Sequence, residues 1–178
     1  METKTNKEDA AAKRDGGKFR EFFIDQLKDI YWAEKALCEA LPKMAKAATS
    51  EKLAKGFEKH TKETEEQARR LEKMFELLGE KAETKKCEAM AGLVKEAEEI
   101  IEETEKGTYT RDAGLVIAGQ KVEHYEIASY GALVVFAEQM GETKVAELLK
   151  QTLEEEKNTD MTLTTISEDQ VNEKAVQE

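Results

Sequence analysis

Apolar residues recur at three- and four-residue intervals along most of the chain, the period of helices buried on one side. The first such segment runs from Phe19 to about Ala48, with Phe23, Leu27, Ile30, Tyr31, Leu37, Cys38 and Leu41 on its stripe. Pro42 falls inside it and is expected to kink it or end it one turn early. Thr49-Ser50-Glu51 then offers an N-cap for a second helix, Glu51 to Leu78, which stops at Gly79. Its buried face is marked by Leu53, Phe57, Leu71, Met74, Phe75 and Leu78. A shorter helix over Lys86 to Lys106 turns Met90, Leu93, Val94, Ala97, Ile100 and Ile101 inward and closes at Gly107. Asp112 opens a third long helix that ends at Gly141, and a fourth starts near Glu142 and fades beyond Ile166.

The links within the first and last pairs are tight, so each pair forms an antiparallel hairpin. The connection from Gly79 to Thr110 is long enough to cross a bundle. Two hairpins joined by one long crossover make the expected fold all-α, a ferritin-like four-helix bundle with a short extra helix in the crossover, with a different five-helix packing as the alternative the pattern leaves open. Residues 1–17 read as a disordered polar arm, 18–167 as the bundle and 168–178 as a polar, frayed tail.

Composition narrows the possibilities further. One proline and ten glycines leave little room for sheet or for many turns. The net charge of −11 repels phosphate backbones and anionic lipid, so neither nucleic acid nor a membrane surface is an expected partner. No segment has the length of a membrane span, and the N-terminus lacks the apolar core of a secretory signal. Cys38 and Cys87 have no CxxC spacing, which favours a reducing, cytoplasmic setting. Both read as packing residues, although Cys87 starts a helix, where a thiol pKa can fall.

The informative positions are the charges that interrupt the stripes. Glu34 sits among Tyr31, Cys38 and Leu41. His60, Glu63 and Gln67 continue the face of Phe57 towards Leu71. Val116, Gly119, Glu123, Glu126, Tyr130, Leu133 and Ala137 put two glutamates at consecutive core positions of the third long helix. Leu149, Leu153, Glu156, Asp160 and Leu163 repeat the pattern in the fourth. Any one such glutamate could be an edge residue reaching water. Four helices each bringing a carboxylate inward at similar depth point instead to a site that needs cations, since each unpaired buried carboxylate costs several kcal/mol. Carboxylates with a histidine suit iron or manganese, and two ions bridged by carboxylates are the usual solution on this scaffold. The candidate metal ligands are Glu34, His60, Glu63, Glu123, Glu126, Glu156 and Asp160. His124, about 100° around the helix from Glu123, is expected to support or pack rather than bind. Tyr31 and Tyr130, each one turn from a candidate ligand, could bond to its carboxylate or simply pack.

Asp29-Ile-Tyr-Trp-Ala-Glu34, His60-Thr-Lys-Glu63-Thr64, Glu123-His-Tyr-Glu126-Ile-Ala128 and Glu154-Glu-Glu-Lys-Asn-Thr-Asp160 together resemble the YciF-like family of bacterial stress proteins, within the ferritin-like superfamily. That resemblance covers about residues 19–167 and implies a ferritin-like bundle, a homodimer and a bacterial cytoplasm. The wider superfamily holds two metals through Glu-x-x-His pairs on two helices and single glutamates on the others. This chain departs from it: Phe57 and Lys121 stand three residues before His60 and His124, so neither histidine completes the pair. The donor set therefore leans towards oxygen, which discriminates less between iron and manganese.

Two functions follow as expectations. One is a stress-associated di-metal protein acting on oxygen or peroxide. The other is a metal-free helical scaffold that works through dimerisation and partner binding. Nothing in the sequence marks the surface of an iron-storage cage.

Overall fold

The computed structural model describes residues 17–178. The N-terminal arm expected over residues 1–17 lies, apart from Gly17, outside that range. Five long elements follow: α1 (Gly17–Ala47), α2 (Glu51–Leu78), α3 (Glu88–Glu103), α4 (Tyr109–Gln139) and α5 (Thr143–Ile166). A π-helical turn (Ser167–Val171) and the short α6 (Asn172–Ala175) complete the chain. No strand occurs among the described residues.

α1 packs on α2 and α4 packs on α5, the two hairpins read from the sequence. They close into a bundle through α2 against α5 and α1 against α4, while α3 lies along α1 and α4. This is the two-hairpin, one-crossover order of ferritin-like bundles. The fold follows from the stripes: Phe23, Leu27, Phe57, Leu71, Phe75, Leu115, Tyr130 and Leu149 all lie in the buried core. Side-chain burial of this kind contributes roughly 1.5–3 kcal/mol each, which is what holds helices of otherwise modest propensity together.

The helix ends use local chemistry. Ser50 caps α2 by accepting from the Leu53 N–H, and Gly79 ends it with φ +72°. α4 begins before Asp112, at Tyr109, with Thr108 as its cap. Asp112 instead braces a neighbouring link. Its carboxylate accepts the backbone N–H groups of Thr49 (2.7 Å) and Ser50 (2.6 Å), locking the α1–α2 connection against α4. Pro42 does not end α1, which continues to Ala47. The proline sits on the exposed face, where water can reach the carbonyl left without its N–H donor.

Two glycines on α4 mark where neighbours come closest. A Cβ at Gly114 would meet Ile100 Cγ2 at 2.6 Å, so this glycine is where α3 seats. A Cβ at Gly119 would meet Leu163 Cδ1 at 3.0 Å and Phe57 at 3.3 Å. The C-terminal residues expected to fray are helical instead. Val171 is fully buried, and the Glu178 carboxylate accepts the N–H groups of Tyr109 and Thr110 at the start of α4.

Candidate metal centre

Each long helix of the bundle delivers carboxylate or imidazole to one level of the core. On α2 the face that carries Phe57 and Leu71 also carries His60, Thr64 and Gln67, all buried. α4 supplies Glu123 and Glu126, α5 supplies Glu156 and α1 supplies Glu34, each at most 1% exposed.

One donor atom from each of His60, Glu123, Glu126 and Glu156 can be chosen so that all four lie within 4.8 Å of one another. His60 Nε2 is 3.1 Å from Glu123 Oε1. Both oxygens of Glu126, both of Glu156 and Oε2 of Glu123 and Glu34 are buried without a hydrogen-bond partner. Donors bound to one ion at 2.0–2.2 Å lie up to about 4.4 Å apart, so the spread suits one cation or a close pair. Buried carboxylates facing each other without donors are stabilised by a bound cation or by protonation. The residues therefore fit a metal.

Glu34 stands beside this group. Its Oε1 accepts a hydrogen bond from the Tyr130 hydroxyl, and its Oε2 remains free. Tyr130 thus both packs and binds a carboxylate. Tyr31 does not reach the group; its hydroxyl donates to Glu72 at 2.6 Å.

Two further candidates are not brought into the cluster. Glu63 is 28% exposed and one of its oxygens is held by Lys59, although the other is buried and unpartnered. Asp160 is 22% exposed and lies on the α4–α5 flank, 3.4 Å from His124 Nε2 and 3.3 Å from Gln120 Nε2. His124 is 72% exposed, so it neither packs nor supports a ligand in the core.

The electrostatics follow the burial. Desolvation raises the Glu34 carboxyl from 4.5 to about 8, even though the Tyr130 bond and His60 pull it down. Burial first, and then neighbouring carboxylates, raise Glu126 and Glu156 well above the ordinary range. Burial alone would lower His60, but Glu123, Glu34 and Glu63 outweigh it and raise the imidazole. Away from the cluster, Cys87 caps α3 with its sulfur, yet burial raises its thiol, so it is not an activated helix-end cysteine.

Thr64 and Arg70 also belong to the site's surroundings. Thr64 is four residues from His60, so helical spacing alone could have found it. Arg70 pairs with Glu155 through both of its terminal nitrogens, at 2.8 and 2.9 Å, and also donates to Thr152. That choice of partner across 85 residues is invisible to local periodicity.

Comparison with known proteins agrees with this architecture. The family described as "Domain of unknown function (DUF892)" matches residues 18–176. Protein YciF of Escherichia coli is 52% identical over 154 residues, covering 86% of this chain and 92% of that protein. The crystal structure of the E. coli stress protein YciF superposes with a TM-score of 0.83 at 50% identity, covering 88% of this chain and 98% of that one. YcfI of Rhodopseudomonas palustris, provisionally described as a structural protein, gives 0.81 at 39% identity, covering 85% and 96%.

Proposed function

This chain belongs to the DUF892 family, as a YciF-like member with a ferritin-like bundle, and from that premise we propose that it is a stress-associated metalloprotein whose core binds two iron or manganese ions and acts on peroxide or oxygen. A single observation carries the reading: His60, Glu123, Glu126 and Glu156 converge in the buried core with both oxygens of Glu126 and Glu156 unpartnered. Charge supports the number of ions. The carboxylates of Glu34, Glu123, Glu126 and Glu156 carry four negative charges when ionised, which two divalent cations neutralise.

His60, Glu123, Glu126 and Glu156 would hold the metal, with Glu34 completing the set. When bound, the metal supplies Lewis acidity and a change of oxidation state. The chain supplies the rest. Tyr130 fixes the Glu34 carboxylate by donating to Oε1. The surrounding apolar side chains keep bulk water from the cluster, and carboxyls raised by burial can hold a proton at Glu34, Glu126 or Glu156 until cations displace it.

The test is hydrogen peroxide and oxygen consumption by protein reconstituted with ferrous or manganous ion. Wild type should consume at least one of them, and Glu126→Ala should not. Equal rates in both proteins would overturn the reading.

A second reading has an observation of its own. The same raised carboxyls make a protonated, metal-free cluster tolerable, and YcfI of R. palustris is provisionally described as structural. In that reading the protein is a scaffold that acts by dimerisation and partner binding. The homodimer is tested by light scattering of the purified chain. No described helix is long and apolar enough to cross a membrane; a cytoplasmic location is part of the proposal.

A further inference from the structure

Other helical threonines find a partner for the hydroxyl: Thr61, Thr159, Thr162 and Thr165 donate to the carbonyl four residues earlier, and Thr152 and Thr164 accept from Arg70 and Gln120. Thr64 does not. It is fully buried, and its Oγ1 has no hydrogen-bond partner among the described residues. Three residues further along the same buried face, Gln67 is also fully buried and its Oε1 is also unpartnered. Helical geometry sets Thr64 about 6 Å along the axis from His60 and about 40° around it, and Gln67 about 10 Å along the axis and about 20° to the other side. The two side chains therefore continue the stripe on which His60 reaches the carboxylate cluster.

The orientation of the Gln67 amide is fixed. Its Nε2 donates to Glu155 Oε2 at 3.1 Å, and Glu155 is itself clamped by Arg70. Turning the amide over would set two oxygens against each other, so Oε1 must be the end left without a partner. An amide oxygen can only accept. A buried acceptor of this kind calls for a partner that brings its own hydrogen. The Thr64 hydroxyl, one turn earlier on the same buried face, can donate or accept.

We propose that Thr64 and Gln67 position the substrate of the centre, and that they select a hydroperoxide, which carries an O–H donor, over dioxygen, which carries none. This rests on the metal reading above and narrows it to a substrate class. A hydroperoxide can donate to Gln67 Oε1 and accept from Thr64 Oγ1 at once. Dioxygen leaves the Gln67 acceptor unsatisfied. Both residues touch the substrate without binding metal.

The experiment loads wild type, Thr64→Val, Thr64→Ser and Gln67→Met with ferrous ion under anaerobic conditions. Metal per chain is measured first, then ferric formation after mixing with hydrogen peroxide or with dioxygen. Each hydrogen peroxide takes two electrons from the ferrous protein and, with two protons, leaves as two waters. Metal content should be equal in all four proteins. The peroxide rate constant should fall about tenfold in Thr64→Val and Gln67→Met and return in Thr64→Ser, while the dioxygen rate changes by less than about twofold. Equal losses with both oxidants, or no loss with peroxide, at normal metal content would overturn the selection proposal alone. Wild-type protein that takes up no metal would overturn it together with the metal reading.

Discussion

The Tyr130 hydroxyl donates to Oε1 of Glu34 with both side chains fully buried, so one oxygen of Glu34 is committed and the other is left facing the core unpartnered. Tyr130 comes from α4 and Glu34 from α1, so the bond also ties the two hairpins together. Tyr130→Phe removes the donor and keeps the ring. It should cost about 1–3 kcal/mol in denaturant unfolding, because a buried carboxyl loses its hydrogen-bond donor. Metal affinity should fall roughly ten- to a hundredfold, as for other groups that orient a ligand. Isothermal titration with manganous ion measures the second effect.

Stability of the metal-free protein should depend on pH in an unusual direction. Burial raises Glu34 from 4.5 to about 8 and raises Glu126 and Glu156 with it, and His60 is raised by its carboxylate neighbours. Groups raised in the folded state bind protons more tightly there than in the unfolded chain. Their contribution is therefore full below the unfolded carboxyl value and is lost as pH rises through the folded one. Chelator-treated protein should show a falling urea midpoint between about pH 5 and pH 9. Lowered groups such as Glu155 act in the acid range and leave that window untouched. Metal-loaded protein should lose the dependence, and loading should release protons that a pH-stat can count.

Glu126→Leu separates the two states most sharply. Both Glu126 oxygens are buried and unpartnered, so without metal the carboxyl is a burden. At pH 8 the metal-free variant should be more stable than metal-free wild type by about 1–3 kcal/mol. The same change should abolish stabilisation by added manganous ion. Thermal melts with and without the ion, on both proteins, give the comparison.

Asp112→Ala tests the frame rather than the centre. The carboxylate receives two backbone N–H groups, from Thr49 and Ser50, and is itself fully buried. Removing it strands at least one buried donor and loosens the α1–α2 link. A loss of about 2–3 kcal/mol is expected in urea unfolding, with metal stoichiometry unchanged.

The periodicity of the chain made the bundle legible, together with the glutamates of its buried stripes. Glu34, Glu123, Glu126 and Glu156 stand where apolar side chains belong, and their helices had no other way to turn. The edges of a stripe were harder to read. Glu63 lies about 60° to one side of His60 and Thr64 about 40° to the other. Charge draws attention to Glu63, one oxygen of which Lys59 holds at the rim while the other is buried, and the hydroxyl of Thr64 is buried as well. Asp160 lies one turn past Glu156, where His124 and Gln120 meet it on the flank. Long-range pairings left no local trace: Arg70 with Glu155, Asp112 with Thr49 and Ser50, and Glu178 on the first turn of α4. The polar C-terminus that reads as frayed is helical to Ala175, where Val171 is fully buried and α6 packs on α4.

The most direct test of the metal centre is elemental analysis of protein purified without chelator and then offered ferrous or manganous ion anaerobically. A two-ion centre predicts close to two ions per chain, falling towards none in Glu126→Ala. No bound iron or manganese before or after loading, or equal content in the variant, would contradict it.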